Sequence, residues 1–132
     1  MGRGAGCELR PRWGRFVRVG LSWSALALAA CAHWTELDEV ACPLGGTTLN
    51  YENFASSFLG AYCDGCHSAP EGQRRGAPLG VVLDNYASAY NLRERIFLRA
   101  AADNASMPPG PDDPPRGERD RLAEWIACGA PR

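Results

Sequence analysis

Cys63-Asp64-Gly65-Cys66-His67 is the stretch on which the reading of this chain turns. Two thiols three positions apart stand on one side of a helical turn, with an imidazole next in sequence. A dithiol redox centre built on such a pair needs a strand before the motif and an α/β surround. A structural zinc site needs a second Cys or His pair. Neither requirement is met, because the residues before Cys63 are patterned as a helix and the second pair is missing. A third chemistry uses every functional residue of the motif. The thiols can add to the two vinyl groups on one edge of a haem, and the adjacent imidazole can reach the iron. The expectation is one covalent haem c on Cys63 and Cys66, with His67 as a metal ligand.

The flanks are organised around that motif. Asn50 is a suitable N-cap for a helix over residues 51–63, with Glu52 in the first turn where the helix dipole favours an acid. Phe54, Ala55, Phe58, Leu59 and Tyr62 recur along it at three- and four-residue spacing, an apolar stripe. A polar loop follows to about Leu79, then a short apolar run, Val81, Val82 and Leu83. Asp84 is a candidate cap for a second helix over residues 85–102. Five of the ten Pro fall in residues 103–116, which excludes helix and inner strand there. A last helix is expected over residues 116–128, with Leu122, Trp125 and Ile126 on its apolar face and Gly129 as its stop. No alternating strand pattern and no repeat is present, so the fold class is all-α. Phe54, Phe58, Tyr86, Tyr90, Phe97 and Trp125 are expected in the core or on a pocket wall, and Arg93, Arg95 and Arg99 on a solvated face.

The second axial donor has few candidates. Beyond residue 30 the only His besides His67 is His33, and the only Met is Met107, in Ala105-Ser106-Met107-Pro108-Pro109-Gly110. A proline-rich loop can present a thioether stiffly, and sulfur suits a borderline metal centre. Met107 is the expected ligand; His33 and an open position are the alternatives.

The amino-terminal end reads as an address. Arg3, Arg10, Arg12, Arg15 and Arg18 precede an apolar run, residues 19–30, too short to span a bilayer. The run ends Leu28-Ala29-Ala30-Cys31, which looks like a bacterial lipobox. The expectation is a cleaved signal over residues 1–30, lipidation of Cys31, a tether and irregular lead-in over 31–49, and a domain over 50–132. With 132 residues the chain has room for one small domain, which excludes dinucleotide-binding and barrel enzymes. All fourteen basic residues are Arg. Residues 31–132 carry nine of them against fourteen acids, a net charge of −5, which disfavours nucleic acid as a partner and suits a basic protein surface.

From about Asn50 to Pro131 the chain resembles class I c-type cytochromes, especially small exported monohaem forms. The shared pattern is helix, Cys-x-x-Cys-His, loop, helix, Met-Pro-Pro loop, closing helix. The resemblance implies a cytochrome c-like fold of three main helices around the haem, with the first and last crossing tightly at Ala55, Leu59, Leu122 and Trp125. Ala55 stands where Gly is usual. It also implies that Pro78 gives its carbonyl to the His67 Nδ1–H. Separately from the resemblance, one of Arg74, Arg75 and Arg93 is a candidate partner for a haem propionate. The function implied is a lipid-anchored electron carrier, not an enzyme, working between a redox donor and acceptor on the periplasmic side of a bacterial membrane. Ala32, where retained lipoproteins often have Asp, favours the outer membrane. The alternative is a haem sensor or small haem enzyme with an open sixth position.

Two cysteines are left. Cys7 leaves with the leader, Cys31 takes lipid, and Cys63 and Cys66 take haem. Cys42 and Cys128 therefore form an even pair in an oxidising compartment, and a disulfide between them is expected.

Overall fold

In the computed structural model, residues 34–69 and 74–132 are described; the expected signal, Cys31 and His33 lie outside them. Asn50 starts the first helix as its sequence requires. Its side chain accepts from the Asn53 N–H at 2.8 Å, and the Asn53 side chain accepts from the Asn50 N–H at 2.8 Å, so two end donors are satisfied reciprocally. The helix is wound wide over its first turn, a π-turn at Tyr51–Ala55, and continues as α1, Ser56–Tyr62. Cys63 ends α1 and begins the single turn α2, Asp64–His67.

The expected second helix is two. α3, Tyr86–Asn91, and α4, Arg93–Ala100, are separated at Leu92, whose backbone (φ −102°, ψ 7°) leaves the helical region. Its cap is Asn85, which accepts from the Ser88 N–H at 3.0 Å, and not Asp84. Asp84 instead accepts from the Ala69 N–H at 2.8 Å, tying the end of the motif to the start of α3. The closing helix α5 runs Arg116–Ala127 and stops at Gly129, whose φ of 88° is left-handed. Among the described residues there is no strand, and no helix is long and apolar enough to cross a membrane. The fold is all-α.

The core gathers one face from each long element. Phe54, Ala55, Phe58 and Leu59 meet Ala89, Ile96, Phe97, Leu122, Trp125 and Ile126, all buried, in one apolar cluster. The four residues expected at the first–last helix contact all belong to it, and Arg121 of α5 stacks on the Phe54 ring at 4.4 Å. The broadest contact between separate helices is that of the consecutive α4 and α5, and not the expected crossing of the first helix on the last. The Trp125 Nε1–H and the Tyr51 N–H both donate to the Pro131 carbonyl at 2.9 Å, so the chain's end fastens the first helix to the last.

The lead-in departs from expectation. From Trp34 onward it is part of the domain, not a tether. Asn104, fully buried, accepts from the Thr35 N–H at 3.2 Å and donates to the Thr35 carbonyl at 2.9 Å. A 3-10 turn at Leu37–Glu39 follows, Leu37, Val40 and Leu49 pack on the core, and Thr47 donates to Glu124 at 2.6 Å. Cys42 and Cys128 are disulfide-bonded, with Cα atoms 4.9 Å apart, as the cysteine arithmetic requires.

Candidate functional site

His67 is held from two directions by one short segment. Its carbonyl accepts from the Leu83 N–H at 2.7 Å, and its Nδ1 lies 3.1 Å from the Val81 carbonyl. A carbonyl only accepts, so this contact requires the proton on Nδ1 and leaves the lone pair on Nε2. The apolar run 81–83 thus has a local purpose: buried Val81 and Leu83 anchor a backbone stretch that orients the imidazole.

The expected partner of that Nδ1–H was Pro78, and the structure corrects it to Val81. The Pro78 carbonyl is taken by Arg74, whose Nη2 donates to it and also to the Val81 carbonyl at 2.8 Å; Nη1 donates to the Ser68 carbonyl at 2.7 Å. Arg74 is only 5% exposed. Its placement follows from a tight turn in which the Ala77 N–H donates to the Arg74 carbonyl at 2.7 Å. Both central residues, Arg75 and Gly76, have positive φ there.

A cavity of about 360 Å³ opens beside the motif. Cys63, Cys66 and His67 line it, and so does Met107 with Pro108 and Pro109, forty residues on. Arg74 to Pro78, Val81 and Leu83 form another part of the wall, and Leu92 with Ile96 and Ala100 of α4 another. The Met107 N–H donates to the Arg99 carbonyl at 2.9 Å, which pins the proline loop to the end of α4; the Met107 side chain is 41% exposed. The sequence reading therefore brings Cys63, Cys66, His67, Met107 and Pro78 to one cavity. It missed the α4 lining, although Leu92, Ile96, Arg99 and Ala100 recur at helical spacing.

The aromatic expectation divides. Phe54, Phe58, Phe97 and Trp125 are core, but Tyr86 and Tyr90 lie outside it. Tyr86 meets Tyr51 edge-on at 5.3 Å and Tyr90 at 5.8 Å. Tyr62 is the aromatic residue that reaches the cavity. Of the arginines, Arg74 and Arg75 line the cavity and Arg93 does not; it stacks on Tyr90 at 4.4 Å. Arg95 and Arg99, expected on a solvated face, are exposed and also line the cavity. Among the described residues four Arg and no acid border the space, in a segment that is acidic as a whole.

The thiol electrostatics bear on what the site can do. Cys63 is unpaired with Cys66, and its thiol is pushed up to about 12, first by burial, then by Asp64 and by Cys66. A dithiol redox centre needs the opposite, a stabilised thiolate. Asp64 is itself raised, chiefly by burial and then by Asp84. Among the described residues no three His, Cys, Asp or Glu side chains are gathered to hold a metal ion. Comparison of the chain with protein families, with curated proteins and with solved structures finds no match.

Proposed function

We propose that the chain is a monohaem c-type cytochrome with a cytochrome c-like fold, lipid-anchored on the periplasmic side of a bacterial membrane, that passes electrons between redox proteins. The observation that carries this reading is the single cavity lined at once by Cys63, Cys66, His67 and Met107. The donor set suits haem: with four nitrogens supplied by the macrocycle, the chain need offer only two axial atoms, and a three-residue metal cluster is not required. The wall suits it as well. Val81, Leu83, Leu92 and Ile96 are apolar, and the exposed Arg75 puts a guanidinium on the same lining for a haem carboxylate.

When bound, the haem supplies reversible one-electron chemistry. Cys63 and Cys66 would hold it by thioether bonds, whichever axial ligand is present. His67 would offer Nε2, its ring fixed through Nδ1 by Val81. Met107 would offer its thioether, which favours the reduced state. Among the described residues that line the cavity the titratable side chains are Tyr62, Cys63, Cys66, His67 and four Arg, a set suited to holding a group and passing electrons. The exposed Arg75, Arg95 and Arg99 make the opening locally basic, so the face that exchanges electrons suits an acidic partner surface even though residues 31–132 are net acidic. Export and lipid attachment rest on the sequence Leu28-Ala29-Ala30-Cys31.

The sensor or enzyme reading differs at one point, an open or displaceable position where Met107 would bind. The test is expression with a periplasmic haem-ligation system, followed by a haem stain on a denaturing gel and an intact mass. A stained band heavier than the chain by one haem is expected; colourless material without the added mass rejects both haem readings. Carbon monoxide added to the reduced protein then separates them. Poor binding identifies a Met-ligated carrier, and ready binding identifies an open or displaceable sixth position.

A further inference from the structure

The Val81 carbonyl serves two donors. His67 Nδ1 lies 3.1 Å from it and Arg74 Nη2 2.8 Å from it, and the same guanidinium is held in place by the Ser68 and Pro78 carbonyls. A carbonyl oxygen has two lone pairs, so both contacts can exist together, but they are not independent. A cationic donor draws electron density from the oxygen and weakens it as an acceptor for the second N–H.

We infer that Arg74, acting through the Val81 carbonyl, sets how strongly His67 donates to a bound metal. The inference rests on the reading of His67 as an axial ligand. The direction follows from the chemistry. A strong acceptor at Nδ1–H gives the imidazole anionic character and makes Nε2 a better donor, which stabilises the more positively charged oxidised centre. Arg74 blunts that acceptor. The positive charge of a nearly buried guanidinium beside the site opposes oxidation too. Both effects push the reduction potential up. Arg74 is therefore a positioning and tuning residue, two hydrogen bonds removed from the metal.

The experiment uses the holoprotein in its reduced, diamagnetic form. With Val81 labelled at its carbonyl carbon, couplings across hydrogen bonds are expected from both His67 Nδ1 and Arg74 Nη2; the lack of either overturns the inference. In Arg74→Gln, the His67 Nδ1–H resonance should move downfield. The reduction equilibrium should shift threefold to tenfold toward the oxidised form, about 30–60 mV at 59 mV per tenfold change. Arg74→Lys should keep part of the shift in potential but not the second coupling. An Arg74→Gln protein with unchanged resonance and potential overturns the inference. If that variant does not accumulate, the wild-type couplings decide alone. Haem-free wild-type protein would instead overturn the reading of the site, and the two failures are told apart by the haem stain.

Discussion

Cys63 closes one helix and opens the next, and its thiol, at about 12, is far from the free value of 9.0. Burial, then Asp64 and Cys66, disfavour its thiolate, and the thiolate is the form that alkylates. In haem-free protein, iodoacetamide is expected to leave Cys63 largely unmodified over a time that consumes an exposed thiol, read by peptide mass mapping. Rapid labelling of Cys63 would contradict the burial that raises it. For Met107→Ala in holoprotein, the expected outcome is loss of the long-wavelength sulfur–iron absorption band and a lower potential, since a thioether ligand raises it. An unchanged spectrum removes Met107 from the site. At this scale the side chains that meet at the cavity were legible: those of the motif and Met107, the one Met beyond residue 30, stand out by type and spacing. The partner of His67 was not. It is a backbone carbonyl, which every residue has, and which one comes within reach depends on a left-handed turn at Arg75 and Gly76 and on where Arg74 spends its donors.

The elements were legible where one strong local signal governed them. Asn50 caps the first helix, Gly129 stops the last, and the prolines of residues 103–116 keep that stretch irregular. The break at Leu92 was not, because helix-compatible residues run through it and no Gly or Pro marks it. The role of Asn104 was equally silent in the sequence, since an Asn in a loop is ordinarily exposed. Here it joins the lead-in to the end of α4, accepting from Thr35 and donating to the Thr35 and Phe97 carbonyls. Asn104→Ala leaves the Thr35 N–H buried without its partner, and a cost of about 1–3 kcal/mol is expected, read as a lower urea midpoint. Asp84 links the motif to α3 in a pH-dependent way. Its carboxyl is held below the ordinary 3.8, mainly by the Ala69 N–H and then by the Asn85 side chain, with the Arg74 charge adding to both. A lowered value means stability that is complete above 3.8 and is lost as pH falls through the folded value. Asp84→Asn should flatten that acid limb in urea titrations from pH 6 downward; an unaltered limb would show that the bond is not what protonation breaks.

Over the whole molecule, covalent closure and packing act on the same two regions. Cys42 and Cys128 span 86 residues, and the loop-entropy argument gives about 4–5 kcal/mol as an upper bound for removing the bond. Cys42→Ser with Cys128→Ser is expected to lower stability toward that figure while leaving the turn from Cys63 to His67 intact. A double variant as stable as the parent would mean that the hydrogen bonds of Thr35 and Thr47 already hold the lead-in closed. The all-α class and the disulfide could be read from patterning and cysteine parity. The docking of the lead-in could not, because residues 34–49 carry no periodicity, and their attachment runs through one buried Asn, one Glu and scattered apolar side chains. That docking has a mechanical consequence. Thr35 is fastened four positions after Cys31, a reach of at most about 14 Å even when fully stretched. An acyl chain on Cys31 would therefore act as a short leash, not a fishing line. The domain would sit against the lipid surface with little freedom to swing, and under the proposed function a redox partner would have to meet it there, in or alongside the same membrane.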